Sequence, residues 1–600
     1  MCGIAGLLNI DGRLPADEAA KITGAMGQLV AHRGPDMQGL WSDPANLCHL
    51  AHRRLSIIDL SEAGRQPMSD ASGRYVVTFN GELYNYQDIR RELEQEGHRF
   101  FTKSDTEVLL LGYIAHGERI FEMADGMFAV AIYDRQQRSL LLARDRAGEK
   151  PLYYMQAGNV FAFASELQAL TAVPGVDHRM SEGALAAYLL FRYVPAPATI
   201  LAGISKLIPG HLLKVEADGS YVERRYFAFE LQPNYNPSQA HFEKYASEVE
   251  NALIASLKRR LVSDVPLGVF LSAGIDSSLA CALITKRLGH SPRTFTIGFE
   301  NDAESEHQVA LRISQCLGTQ HSQYVFSASD FDAIGSQIGK FMDEPNGDRS
   351  CVPTYLLSKF TRESVTVAIS GDGGDELFCG YGRYRGVPQA MKEPCWENPR
   401  ATIGAYFDRF LAVFGIAATS EILPNGWRSI ASLLESFIPI FQHPGRDVVN
   451  GLRQLDFATY LPGAVLPKVD RMSMRWGLEV RTPFLEPQVM QLSSRLSGAY
   501  CHNDKFAKLT LRQILGKYLP SDIVSLPKRG FGMPASVFIN NKEKTAAELD
   551  VTRERILGTR FFSERRELVE SLMQKSGQNI NSIWATIVLG QWMESFPVKL

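Results

Sequence analysis

The stretch VPLGVFLSAGIDSSLACALITKRL, residues 265–288, decides the fold of the larger part of this 600-residue chain. It opens on a near-continuous apolar run (VPLGVFLS, 265–272), turns through small and hydroxyl-bearing residues, and continues as an apolar helical pattern over about 277–288. The rhythm repeats downstream. TFTIGF (294–299) precedes a helix near 305–317, HSQYVF (321–326) precedes a helix reaching about 343, and VTVAISG (365–371) follows. Apolar runs without polar alternation suit strands covered on both faces, and strands alternating with helices build a parallel, doubly wound sheet. Beyond 400 the pattern is mostly helical.

Upstream the pattern changes. FELQPNYNPSQAH (229–241) carries two prolines, two asparagines and few aliphatics, the composition of a connection between domains. Before it, short apolar runs such as GRYVVTFNGELYN (73–85), GMFAVAIYDRQQRSLLLARD (126–145) and GNVFAFASELQAL (158–170) are separated by turn chemistry. YDRQQRS reads as a hairpin connection, and helical periodicity is confined to about 15–30 and 86–96. These first ~200 residues predict an α+β layered domain dominated by antiparallel sheet. Two large domains suit a chain too long for one core.

Composition excludes several classes. A hydrophobic fraction of 45% with 22% charged residues is that of a soluble globular protein. The 63 basic and 66 acidic side chains leave a net charge of −3, without the basic excess that nucleic acid or a membrane surface requires. No apolar run reaches the ~18 residues of a membrane span. The start, MCGIAGLLNIDG, lacks the basic n-region of a signal peptide. Eight scattered cysteines form no CxxC, so neither a disulfide framework nor a zinc knuckle is expected. A cytoplasmic protein is expected.

Two groups of residues carry chemistry. Removal of Met1 would place a thiol and a free α-amine on Cys2, and an amine of pKa ~8 can act as the base for such a thiol. HRGPD (32–36), AHRRLSIIDL (51–60), FNGELYNY (79–86), KSDTEVLL (103–110) and RDRAGEKPLYY (144–154) follow in order. Asn80 and the Gly81 N–H could form an oxyanion hole, Arg54 could clamp a carboxylate, and Glu82 or Asp105 could hold an ammonium. In the second half, SAGIDSS (272–278) puts hydroxyls and backbone N–H groups at a helix start, an anion site without Walker spacing. SGDGGDELFCGY (370–381) follows another strand of the same sheet. Parallel strands deliver their C-terminal loops to one edge, so Asp276 and Asp375 are expected to converge on one divalent cation. Lys468, in LPKVDRMSMRWGLEVRTPFLE (466–486), could neutralise a phosphate and a developing oxyanion, and LPKRGFGMP (526–534) adds a glycine-rich basic turn.

The N-terminal motifs resemble the glutaminase domain of class II, N-terminal-nucleophile glutamine amidotransferases. Residues 250–535 resemble the synthetase domain of glutamine-hydrolysing asparagine synthetases. The resemblance implies an α/β/β/α sandwich over 2–215, a linker over 216–245, an ATP-pyrophosphatase domain over 246–535 and a helical C-terminal extension over 536–600. It further implies that Cys2 attacks the glutamine amide, with Arg54, Ile57, Ile58, Asn80, Gly81, Glu82 and Asp105 lining the pocket. Leu271, Ile297, Ser370 and Gly371 would hold ATP, Ser272, Gly274 and Ser277 its phosphates, and Asp276 and Asp375 the Mg²⁺. Asp372 would assist adenylate formation and Lys468 would stabilise charge. The implied reaction activates a carboxylate as an acyl-adenylate, which ammonia carried through a shielded route then attacks. L-aspartate is the expected acceptor, with a sugar acid or secondary-metabolite intermediate as the alternative. A homodimer is implied by the resemblance alone.

Departures from the family pattern mark three places. Ala147 and Glu149 replace an aromatic and an aliphatic residue, which predicts altered domain packing rather than lost hydrolysis. Ala273 replaces a loop glycine, which matters if the position needs φ > 0. Position 372 is Asp where many asparagine synthetases carry Glu, and this leaves the acceptor open. Two further readings keep less of the motif set: a β-lactam-synthetase-like ring closer, which needs no ammonia, and a non-catalytic paralogue.

Overall fold

The computed structural model describes residues 1–233, 238–300, 306–390, 396–442, 447–496, 498–527, 532, 542–558, 566–567, 570 and 579–596. The N-terminal half holds two six-stranded sheets. The strand Gly3–Asn9 lies inside the first, antiparallel to Cys48–Arg54 on one side and Val160–Ala164 on the other. In the second, Tyr75–Leu83 pairs antiparallel with Gly126–Asp134, which turns through the expected hairpin into Ser139–Arg144.

Ile4, Leu8, Leu50, Val76, Ala129 and Phe161 fill the space between the sheets. Helix Ala16–Leu29 covers the outer face of the first sheet with Ala19, Ile22, Thr23 and Met26, spaced three and four apart along one stripe. Helices Tyr86–Gln95 and Asp105–His116 cover the second, packing Ile89, Leu93 and Val108 on Val77, Phe79 and Val130. The result is the α/β/β/α sandwich.

The second half is built on five parallel strands in the spatial order Gln320–Phe326, Arg293–Phe299, Leu267–Phe270, Val367–Ile369, Glu479–Arg481. Leu267–Phe270 is central, with its chain successor on one side and Val367–Ile369 on the other. The strand order therefore switches there, where open α/β sheets place their ligands. The fifth strand was not expected. Three residues, two of them charged, are too short and too polar to read as a strand, yet Glu479 and Arg481 are completely buried.

Two expectations about boundaries change. The stretch 216–245 contains the strand Tyr221–Arg225, paired with His211–Val215, and the start of helix Gln239–Arg260. Regular structure thus enters the connection from both ends. The C-terminal stretch 536–600 supplies more than an extension. Its helix Ile580–Ser595 buries Trp584 and Trp592, and Gln591 Oε1 accepts from Gly339 N at 2.9 Å. No described helix is long and apolar enough to cross a membrane.

The halves are joined by buried charge. Arg33 makes a bidentate contact to Asp470 at 2.7 and 2.9 Å and also reaches Glu166 at 2.9 Å. Glu149 accepts from the Thr482 hydroxyl, so this residue of RDRAGEKPLYY contacts the second half directly.

Candidate active sites

Cys2 directly precedes the first strand, buried, and its backbone N–H donates to Asn80 Oδ1 at 2.9 Å. The Asn80 amide nitrogen is buried without a hydrogen-bond partner among the described residues, a donor left over beside the thiol. A glycine at 81 is required by close approach. A Cβ there would stand 2.2 Å from the Met127 carbonyl oxygen of the neighbouring strand. Burial pushes the Cys2 thiol up and favours its protonated form.

The pocket at Cys2 is lined by Arg54, Ile57, Ile58, Gly81, Glu82 and Asp105, together with Met1 and Glu479. Arg54 is itself satisfied by main chain, donating to the carbonyls of Ile58, Asp59 and Ser61, and so it shapes the loop 57–61. The acidic wall is strongly perturbed. Burial, followed by the nearby Asp105, raises Glu82 well above the usual carboxylate range. Burial also lifts Asp105 to about 6, against the Leu83 N–H that donates to it at 2.9 Å. For Glu479 burial is outweighed by the Met1 ammonium, 2.8 Å away, and by Arg481, which hold it at about 2. Glu82, Asp105 and Glu479 thus share this wall with Arg481 and the Met1 ammonium.

The second cavity, about 490 Å³, opens at the C-terminal ends of the two central parallel strands. Leu271, Ser272, Gly274, Asp276, Ser277, Ile297, Ser370, Gly371, Asp372, Asp375 and Lys468 all line it. The Ser272 and Ser277 hydroxyls lie 2.8 Å apart, and Ser272 Oγ accepts from Gly274 N at 3.1 Å. The loop is thereby closed on itself at the N-cap of helix Ile275–Lys286. Ala273 is not among the residues with positive φ, so its methyl group carries no left-handed strain. The loops touch where glycine permits it: a Cβ on Gly371 would stand 2.8 Å from Asp276 Cβ.

Asp276 and Asp375 do converge. The Lys508 ammonium sits between them, 2.6 Å from Asp375 Oδ1 and in contact with Asp276 Oδ2. Burial works against the charged lysine, but the two carboxylates outweigh it and raise its pKa. Lys468 is likewise buried, and Asp348 and Asp372 raise it to a fully charged state. Asp372 Oδ2 accepts from Ser370 Oγ at 2.8 Å. Among the described residues no cluster of three or more metal-ligating side chains exists. Two hard carboxylates already gripping a cation fit Mg²⁺, which takes one or two carboxylates and completes its shell with phosphate oxygens and water.

Sequence reasoning missed Lys508, Asp348, Glu479 and Arg481. Alternation in Glu-Val-Arg was the available signal for the last two, since period two puts both side chains on one face. The basic turn 526–534 lies mostly outside the described residues.

A thiol at the start of a buried strand in an α/β/β/α sandwich, next to an orphan amide donor and an acidic wall, defines an N-terminal-nucleophile amidohydrolase class of site. Here it is fused to a nucleotide-type α/β domain. Residues 1–227 match the glutamine amidotransferase domain family, and residues 248–594 match the asparagine synthase family. The chain belongs to the asparagine synthase family. It is 31% identical over 638 aligned positions to asparagine synthetase [glutamine-hydrolyzing] 1 of Bacillus subtilis, covering 99% of this chain and 96% of that protein. A putative asparagine synthetase of Mycobacterium tuberculosis is 33% identical, covering 89% and 88%. Asparagine synthetase B of Escherichia coli is 28% identical, covering 88% and 82%.

Proposed function

We propose that the chain is a glutamine-dependent, ATP-driven ligase that turns L-aspartate, L-glutamine, ATP and water into L-asparagine, L-glutamate, AMP and pyrophosphate. The carrying observation is that two separately built sites share one element. Glu479 and Arg481 put their side chains on the glutaminase wall, with Arg481 Nη2 3.6 Å from Glu82. The Arg481 carbonyl accepts from Ser370 N at 2.9 Å, at the head of the second cavity's acidic loop.

In the first site the Cys2 thiolate attacks the glutamine side-chain carbonyl. Once Met1 is removed, the free α-amine of Cys2 takes the thiol proton and later delivers it to the leaving nitrogen. Asn80 Nδ2 and the Gly81 N–H hold the oxyanion, Glu82 and Asp105 the substrate's α-ammonium, and Arg54 the loop that closes on it. Ammonia leaves, and water releases glutamate from the thioester.

In the second site Leu271, Ile297, Ser370 and Gly371 hold the nucleotide, and Ser272, Gly274 and Ser277 its phosphates. Asp276 and Asp375 would hold Mg²⁺, whose charge supports departure of pyrophosphate when bound. The acceptor carboxylate oxygen attacks the α-phosphorus, Asp372 orients that step, and Lys468 stabilises the charge that develops. Ammonia then displaces AMP. Labour divides between residues 2–215 and 246–535, with the closing helices bracing the second part.

The test is product identification by mass spectrometry with amide-¹⁵N glutamine, ATP, Mg²⁺ and aspartate. Labelled asparagine with equimolar AMP is expected. Glutamate release without AMP would overturn aspartate as acceptor, and the search would turn to other carboxylates, a direction that Asp372 in place of Glu would then favour.

A further inference from the structure

Among the described residues that line the second cavity, one comes from the glutaminase half: Arg192. It caps the C-terminus of helix Glu182–Phe191 with φ +66°, a left-handed conformation that glycine or asparagine normally takes. A bulky side chain held there is strained, and such strain persists where surrounding structure enforces it. The surroundings do enforce it. The Arg192 N–H donates to the Tyr188 carbonyl at 2.7 Å, and its own carbonyl accepts from Gly347 N at 2.8 Å. Tyr188 Oη donates to the Ala585 carbonyl at 2.6 Å, and Tyr193 Oη lies 3.1 Å from Thr459 Oγ1. The turn that bears Arg192 is thus wedged between helices of the synthetase half.

The guanidinium has no hydrogen bond or ion pair among the described residues, although its side chain is only partly exposed. Asp348 and Tyr460 lie close enough to feel its charge, but neither bonds to it, so its N–H groups stay available to a ligand in the cavity. Its neighbourhood shows which ligand group would meet it. Arg192 packs beside Gly347, where a Cβ would stand 3.0 Å from Arg192 Cβ, and Asp348 follows directly in the chain. Asp348, with Oδ1 fixed by Ser350 N at 2.8 Å and Ser350 Oγ at 2.7 Å, lines the cavity together with Lys468. The phosphate-type donors belong to the loops 272–278 and 370–376, and Lys508, at the N-cap of helix Leu509–Leu515, binds the Asp276 and Asp375 carboxylates of those two loops. Against burial, Lys468 and Arg192 both hold the Asp348 carboxyl down, so Arg192 stands on the Lys468 side of the cavity, where the acceptor has to meet the α-phosphate.

We infer that Arg192 is an acceptor-binding residue: its guanidinium takes a second, non-reacting carboxylate of the acceptor and restricts the enzyme to dicarboxylates. For aspartate this is the α-carboxylate, with the β-carboxylate left to attack ATP beside Lys468. The site is then complete only when the glutaminase half is docked, so acceptor binding senses domain assembly. This inference rests on the reading of the cavity as the adenylation site.

The experiment compares the full-length wild type with Arg192→Gly and Arg192→Lys, measuring AMP formation with added ammonium. Glycine suits the left-handed turn, so Arg192→Gly should melt no lower than the wild type. Its KM for aspartate should rise ten- to hundred-fold, the range of a lost charge-assisted pair. KM for ATP and glutaminase activity should stay within about threefold, a margin of under ~1 kcal/mol. Arg192→Lys should fall between the two. β-Alanine, which lacks the α-carboxylate, should be a poor acceptor for the wild type and no worse for Arg192→Gly. An unchanged KM for aspartate, or a rise in the KM for ATP instead, would overturn the inference. Failure of the wild type to form AMP with either acceptor would instead defeat the underlying reading of the cavity.

Discussion

Asp105 shows at a single residue how burial sets chemistry. Its carboxyl is pushed up to about 6 because burial, with Glu479 adding to it, outweighs the main-chain donors. Above that pH it is an anion able to hold a substrate ammonium, and below it a neutral acid. The glutaminase KM for glutamine is therefore expected to climb as pH falls from 7 to 5, and Asp105→Asn should show a high KM, raised about tenfold or more, with that slope removed. A pH series of glutaminase rates on both proteins checks this. That Cys2, Asn80, Gly81, Glu82 and Asp105 gather at one place was legible because each sits in a short run suited to one chemical task. Arg54 was legible as a residue that lines this pocket, but its bonds to three carbonyls depend on how the loop 57–61 folds.

The strand Glu479–Arg481 and the turn at Lys508 were not legible as elements. The strand is too short for its alternation to be seen, and its charges are tolerable in the interior only because Met1, Glu82 and each other are there to pair them. Lys508 has φ +57° at the N-cap of helix Leu509–Leu515, and nothing in NDKFAKLTLR signals that conformation. The loops SAGIDSS and SGDGGDE, by contrast, were readable, since apolar strands point them at one edge. Lys508 neutralises the Asp276 and Asp375 carboxylates. Lys508→Met should lower the unfolding free energy by about 3 kcal/mol, the cost of stripping one partner from a buried ion pair. Mg²⁺ should restore much of that loss and raise the melting temperature of the variant more than that of the wild type. Equal Mg²⁺ shifts in the two proteins would show that the carboxylates do not form the cation site.

Over the whole molecule, the two halves act as one body because ion pairs are buried between them. Arg33 and Asp470 meet with both side chains almost wholly excluded from water. Burial alone would raise the Asp470 carboxyl, but Arg33 and Lys150 bring it to about 2. A depressed carboxylate stabilises the fold above its unfolded value near 3.9, and that stabilisation fades as pH falls toward 2. The contribution is about 2 kcal/mol, so denaturant unfolding of the wild type should weaken steeply below pH 4. Asp470→Asn should be less stable at pH 7 and show a flatter acid dependence. Composition and periodicity announced two domains and their order. They could not announce that helix Glu182–Phe191 from one half and Ile580–Ser595 from the chain's end lock together through Tyr188 and Ala585, because that contact joins residues about 400 positions apart.

Replacement of the nucleophile tests the two-site account most directly. Cys2→Ala, assayed for AMP and amide product with either glutamine or ammonium as nitrogen source, should lose all glutamine-dependent synthesis. It should keep ammonium-dependent synthesis near the wild-type rate, because the second cavity contains no atom of Cys2. Loss of synthesis from both nitrogen sources in a folded variant would contradict the division of the reaction between the two sites.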